Sequence, residues 1–311
     1  MIKNLVSQPK TPKVYKDKKL NNANFGDFHH TDYQVFLHLV SKIGGVDKYG
    51  KYLQSEQLQR EHILTAKEFS ELFNVSLPNC YGILKQAVDK LMKTDIRIEK
   101  PDNQGFWRIN ICSMAEYNKT AGSITIKFTD DIMPYLAQVK ARFVLYNLKD
   151  VSKFGSLYTT RLYELLQEFK ETGWVLKSIE QLREMFAVGN RLKLYADFKR
   201  KTFGRGCQEI NENYDIGLNF KEIKEGRKVV AVKFFFKKAV SHEVINQKTG
   251  VARKIYISPK KPKESKKISI KQNAETFDFI KENGSNNSKE NEPKSISSIL
   301  SSMLSKFKSN N

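Results

Sequence analysis

The sequence predicts an α+β chain in which one order of elements occurs twice: a leading helix, a short strand, two helices separated by a turn, then two alternating strands. Two stretches carry this prediction. The first runs from Leu64 through TAKEFSELF, NVSLPNCYGILKQAVDKLM and KTDIRI to a turn and Phe106-WRINICSM. The second runs from Leu176 through KSIEQLREMF and AVGNRLKLYADFKRKTF to Tyr214-DIGLNFKEI, a turn at Gly226 and Val229-VAVKFFFKK. Thr65 and Ser178 stand where the N-caps of the short helices belong. Helix, turn, helix and hairpin in that order is a winged helix, a DNA-reading module, so two tandem winged-helix domains with disordered basic termini are expected. Charge supports this. The 311 residues carry a formal net charge of +20 and a pI near 9.6, which favours a polyanionic partner such as nucleic acid.

In chain order, residues 1–30 are polar and Asn/Lys-rich and read as a flexible arm with little structure of its own. The first domain is expected over residues 31–140. Tyr33, Phe36, Leu37, Val40 and Ile43 fall at helical spacing, Gly44-Gly45 ends that helix, and a polar insert leads to Glu61. After the first hairpin, taken as the first wing, residues 123–128 alternate as a strand, and a short helix over 130–139 is interrupted at Pro134. The second domain is expected over 141–258. Its leading helix, from Ser156, carries Leu157, Leu162, Leu165, Leu166 and Phe169 on one side; Gly173 stops it, and Trp174 to Leu176 form a small strand. Residues 259–311 are rich in Lys, Ser, Asn, Glu and Pro, a basic tail that cannot bury enough surface to fold alone. Within it, Ile296, Ile299, Leu300, Met303, Leu304 and Phe307 keep helical spacing over 295–308, as a docking helix or an end helix lying on its own domain.

Helical phasing gives candidate DNA contacts. At about 100° per residue, Tyr195, Phe198, Thr202 and Ile210 share the inner arc of the longer second-repeat helix, and Lys193, Asp197, Arg200, Lys201 and Gly204 the outer one. Arg or Lys can bridge guanine O6 and N7, and Asp can accept from cytosine N4; the bland reading is a solvated cationic face. Gly204 and Gly206 permit close backbone approach or a bend, or mark the helix end. In the first repeat Leu77, Tyr81, Leu84, Val88 and Leu91 form the expected inner arc, while Asn79, Gly82, Gln86 and Lys93 face outward. Asn and Gln suit adenine N6 and N7. The hairpin tips, Lys100-PDNQG and Lys221-EIKEGRK, would brush phosphates, with Lys224, Arg227 and Lys228 making the second wing the more cationic. The second domain is therefore the main DNA-binding one.

Other functions are excluded by chemistry. No apolar run approaches the roughly 18 residues of a membrane span, and the N-terminus lacks a signal-peptide core, so no membrane partner and a cytoplasmic location are expected. Cys80, Cys112 and Cys207 lie far apart without a C-x-x-C pair, as reduced packed thiols would. Gly45-VDKYG-Lys51 has P-loop spacing, but Tyr52 replaces the hydroxyl that would hold magnesium, and a helix precedes it. His29 and His30 are adjacent, so a strand would turn them to opposite faces; His38, His62 and His242 are scattered. No enzyme activity, cofactor or metal is expected.

From Ser156-LYTTRLYELLQEFKETG through Ile179-EQLREMF, Tyr195-ADFKRKTF and Glu209-IN to Gly226-RKVVAVKFFF, the chain resembles the iteron-binding plasmid replication initiators, with Arg161-LYELL, Leu182-Arg183 and Glu209-Ile210-Asn211 in the family's order. Gly204-Arg-Gly-Cys207 departs from the more apolar residues expected there. The resemblance implies a monomer that binds origin iterons in double-stranded DNA, helps open the adjacent AT-rich duplex, and recruits a host replication initiator and helicase. It also implies a homodimer, joined through the first domain and in equilibrium with monomer. That dimer would bind an operator inverted repeat and repress its own gene, with host chaperones assisting conversion. A plasmid-encoded transcriptional repressor with no initiation role is the alternative, and a nuclease or primase a distant third.

Overall fold

A computed structural model describes residues 12–44, 53–100, 104–136 and 143–238 and the strands Val240–Ile245 and Ala252–Ile257. The 295–308 helix and residues 1–11 lie outside the described residues. Residues 13–22 correct the expectation of an unstructured arm. They form strand β1 (Lys13–Asp17) and helix α1 (Lys18–Asn22), capped by Asp17, whose side chain accepts from the Lys19 amide at 2.7 Å. Val14, Leu20, Phe25 and Phe28 are buried. Apolar content is thin along β1 and α1, and the strand partner of β1 lies about 130 residues away, so no local pattern announces them.

The first unit follows. Helix α2 (His30–Ile43) is succeeded by β2 (Glu61–Thr65), α3 (Ala66–Phe73) and α4 (Leu77–Lys93). Thr65 caps α3 reciprocally: its hydroxyl accepts from the Glu68 amide at 3.2 Å, and the Glu68 carboxylate accepts from the Thr65 amide at 2.9 Å. Asn74, at φ 53°, makes the turn into α4. Four strands and a short helix complete the unit: β3 (Asp95–Glu99), β4 (Phe106–Asn110), β5 (Cys112–Asn118), β6 (Ser123–Phe128) and α5 (Met133–Leu136).

The second unit begins at β7 (Phe143–Asn147), which pairs antiparallel with β1, and α6 (Leu148–Val151). Helix α7 (Leu157–Glu168) leads to β8 (Trp174–Ser178), α8 (Ile179–Met185), α9 (Tyr195–Lys199), α10 (Arg205–Asn213), β9 (Asn219–Glu225) and β10 (Lys228–Phe235). Ser178 repeats the reciprocal cap with Gln181, at 3.1 and 3.0 Å. A further hairpin joins β11 (Val240–Ile245) to β12 (Ala252–Ile257).

Sheet order corrects the position of the first wing. The second unit has the order β8-β10-β9, so the strand before its helix pair joins the far strand of its hairpin. In the first unit the same order is β2-β6-β5. The equivalent hairpin is therefore β5–β6, whose tip at Gly122 packs beneath Tyr81 and accepts the Ala66 amide at 2.8 Å. The hairpin β3–β4, carrying the predicted tip at Lys100, is a separate two-stranded ribbon. Both hairpins alternate in polarity, so the sequence offers no means of choosing between them.

The leading helices α2 and α7 meet at a buried polar cluster. Glu164 is fully buried, and each carboxylate oxygen has two donors: Lys16 (2.5 Å) and Tyr146 on Oε1, Tyr33 (2.8 Å) and Arg161 (3.0 Å) on Oε2. The Tyr33 hydroxyl accepts from Lys16 and Arg161, both at 2.8 Å. Arg161 also donates Nη2 to the carbonyls of Asn21 and Ala23, each at 2.8 Å, and Nε to Met185 O at 3.3 Å, at the end of α8. Burial pushes the Lys16 ammonium down to about 7 against the pull of Glu164, while burial raises the Tyr33 and Tyr146 hydroxyls well above their usual range. For Glu164 burial works upward, but Lys16 and Arg161 outweigh it and hold the carboxyl below its usual range.

Candidate nucleic-acid interface

The candidate reading helix of the second unit follows a turn that arginines hold. Arg183 donates Nη2 to the carbonyls of Leu192 at 2.8 Å and Lys193 at 3.2 Å, and Arg191 donates to Ala187 O at 2.8 Å. Ala187 and Leu192 have positive φ, 50° and 54°, a conformation costly for non-glycine residues. These two guanidiniums, although cationic and near the interface, are spent on the chain's own carbonyls.

The helix that follows is broken and not continuous. Between α9 and α10, residues 200–204 form a wide π turn in which Thr202 leaves helical geometry, at φ −108° and ψ −105°, and its hydroxyl donates back to Phe198 O at 2.6 Å. The break has a packing purpose. Phe198 and Phe203 are both fully buried, whereas an unbroken α-helix would set two residues five apart at about 140°. Phe203 meets Phe220 and Phe234 edge-on at 5.1 and 5.7 Å. Two glycines permit the bulge. A Cβ on Gly204 would lie 2.7 Å from the Lys199 carbonyl oxygen, and one on Gly206 would lie 3.0 Å from Leu162 of α7. The helix then continues to Asn213, so Gly204 and Gly206 do not mark its end.

Lys193, Arg200 and Lys201 are exposed, and Asp197 is half-buried. Arg200 donates to Asp197 at 2.7 Å, an arrangement that leaves Lys201 the freer cation. Glu222 of β9 accepts from the Tyr195 hydroxyl at 2.8 Å and pairs with Lys199 at 2.9 Å, tying wing to helix. The Lys199 bond holds Glu222 below the usual carboxylate range. Lys224, Arg227 and Lys228 are exposed around the turn at Gly226, which adopts φ 57°. Phasing from the sequence carried the inner arc on to Ile210 but ended the outer one at Gly204, and so left out Arg205 and Gln208. Both are exposed beyond the bulge and line, with Lys199 and Arg200, a groove of about 590 Å³ against β9. The signal was the spacing Lys201, Arg205, Gln208, which continues one helical face.

In the first unit Asn79, Gln86 and Lys93 are all exposed, at seven-residue intervals along α4, with exposed Gly82 beside them. The inner arc needs correction. Cys80, Leu84, Ala87 and Leu91 are fully buried, whereas Leu77 and Tyr81 are each 40% exposed. Small Cys80 and Ala87 bring α4 close to its sheet, and the larger Tyr81 lies over Gly122 instead. The structure thus gathers Lys193, Asp197, Arg200, Lys201 and the second wing on one unit, and Asn79, Gln86 and Lys93 on the other. Among the described residues no group of three His, Cys, Asp or Glu could hold a metal ion. The three cysteines are buried and unpaired, and burial pushes the thiols of Cys112 and Cys207 up to about 11 and 12.

Two family models match this chain: Initiator Replication protein, WH1, over residues 13–167, and Initiator Rep protein, WH2, over residues 178–236. The chain belongs to the initiator replication (Rep) protein family. Both winged-helix domains of the family are therefore present in this Rep-family chain, and the WH1 match starts at β1, in keeping with an ordered N-terminal strand. Among curated relatives, a replication initiation protein of Escherichia coli is 29% identical over 147 residues, 46% of this chain and 45% of that one. The PI protein of Escherichia coli is also 29% identical over 147 residues, 41% of this chain and 48% of its own length. The matches thus span about half the length of these relatives. A crystal structure of the Pi initiator protein in complex with iteron DNA shares the fold at a TM-score of 0.60 and 21% identity, covering 73% of this chain and 98% of that one.

Proposed function

We propose that this protein initiates plasmid replication. As a monomer it binds direct repeats at an origin with both units, promotes opening of the neighbouring duplex, and recruits a host replication initiator and helicase. As a homodimer, in equilibrium with the monomer and remodelled with the help of host chaperones, it binds an inverted repeat and represses its own gene. It acts in the cytoplasm, on double-stranded DNA and without catalysis. The observation that carries this reading is the pair of Rep-family winged-helix units, each with an exposed polar helix face free to enter a major groove. A footprint on a direct repeat tests it. Two helices entering successive major grooves on one side of the duplex should protect roughly 20 base pairs per monomer. Protection confined to one helical turn would refute the two-unit reading. A cloned origin that fails to replicate when the protein is supplied would leave only repression.

Asn79, Gln86, Lys93, Lys193, Asp197, Arg200, Lys201, Lys224, Arg227 and Lys228 are the proposed contacts, joined by Arg205 and Gln208. Arg200→Ala is expected to weaken the best site by about tenfold and relax preference at one base pair, as loss of a base reader would. Lys201→Ala is expected to weaken all sequences alike and to make the salt dependence shallower by about one unit, as loss of a phosphate contact would. Titrations at several salt concentrations on specific and random duplexes separate the two.

A further inference from the structure

The joint between the two units is built unlike an ordinary core. Its centre is occupied by Lys16, Arg161 and Glu164, three charged side chains essentially withdrawn from water, with the hydroxyls of Tyr33 and Tyr146 between them. Tyr33 lies on α2 of the first unit; Arg161 and Glu164 lie on α7 of the second; Lys16 reaches them from β1. The Arg161 guanidinium extends the cluster to the carbonyl of Met185, in the first helix of the second helix pair. At the surface Glu184 continues the connection, accepting from Asn24 at 2.9 Å and standing 4.0 Å from Arg97 of the β3–β4 ribbon.

Apolar joints tolerate sliding, because one methyl contact replaces another at little cost. Directional bonds between desolvated charges do not, since any slip leaves a buried polar atom without a partner. Such clusters add little net stability and can instead select one arrangement over its neighbours. We infer that Tyr33, Arg161, Glu164 and Lys16 are positioning residues that fix the angle between the two reading helices, and thereby the base-pair spacing the protein accepts between the two halves of its site. This inference rests on the proposed binding of both units to one duplex. One inserted base pair moves a half-site by about 3.4 Å and about 34°, far beyond the play in a network of hydrogen bonds.

The test uses the full chain and duplexes whose half-sites are separated by the natural spacing or by one or two base pairs more or fewer. Tyr33→Phe removes the hydroxyl shared by Lys16, Arg161 and Glu164 and leaves the ring packed on Phe25 and Phe36. Lys16→Met is the second variant, in case the first folds poorly. The unaltered protein is expected to lose about tenfold in affinity for each base pair of misspacing, and either variant about threefold or less, with affinity at the natural spacing nearly kept. A loss of stability alone would weaken all duplexes together and leave these ratios unchanged. Variants as strict as the unaltered protein would overturn the inference. An unaltered protein indifferent to spacing would instead overturn two-unit binding, and the inference with it.

Discussion

Glu164→Gln is expected to destabilise the fold by about 3–5 kcal/mol, the usual cost of removing one partner from a buried ion pair. Among the described residues, Glu164 is the anion in direct contact with both Lys16 and Arg161. Lys16 can respond by giving up its proton, but a guanidinium cannot, so Arg161 would remain charged and uncompensated. Lys16→Met should behave oppositely, leaving a balanced Arg161–Glu164 pair and a stability close to that of the unaltered protein. Urea denaturation of both variants checks the pair; an equal loss in each would be inconsistent with this charge balance. The same lysine predicts a pH effect. Its folded value, about 7, lies below its ordinary 10.5, so between those limits the unfolded chain holds the extra proton and stability rises with pH. Of the groups facing it in the folded protein, Glu164 is held below its usual range, Arg161 above, and Tyr33 and Tyr146 well above theirs, so none of these four changes charge across most of this window. The rise should be present in the unaltered protein and absent from Lys16→Met.

Gly204→Ala should also destabilise, by about 1–3 kcal/mol, as overpacked sites do. The sign is what matters, because Ala in place of Gly within a helix ordinarily stabilises by about 1 kcal/mol. Here the added methyl would stand 2.7 Å from the Lys199 carbonyl oxygen, a backbone atom that can move only if the π turn rearranges. Rearrangement would withdraw Phe198 or Phe203 from the core and rotate Arg205 and Gln208 relative to Arg200 and Lys201. DNA affinity should therefore fall together with stability. A stabilised protein with undiminished binding would mean that the turn has no constraint to relieve.

Local chemistry was legible in the sequence wherever the determinant lies within a few residues. Thr65 and Ser178 announce the caps, which Glu68 and Gln181 complete in the structure, and the leading helices and the second hairpin follow from spacing and from Gly226. What escaped depends on distant partners. Lys13 to Asp17 become a strand only beside residues 143–147, and the π turn follows from fitting Phe203 against β9 and β10. The family's motif residues have a related lesson. Arg161 and Glu164 build the joint; Glu209 accepts from Gly155 and Thr159, each at 2.5 Å; Asn211 clasps Leu218 through two bonds of 2.8 Å. These motifs report architecture, while the candidate DNA contacts sit between them on exposed faces where many residues would fold equally well.

Pairing β1 with β7 also sets a timetable. Asn21 donates to Glu168, 147 residues later, a stretch that takes about 7–30 s to synthesise at about 5–20 residues per second. Throughout that interval the N-terminal segment has no strand to pair with, and Lys16 waits in water with its proton on. Closing the N-terminal strand must therefore wait until residues 143–168 have been made, by which point every element of the first unit from α2 to α5 is already present. A molecule caught before that step would possess its first helix pair and sheet, while Tyr33 would lack the Lys16, Arg161 and Glu164 bonds that it makes in the finished fold.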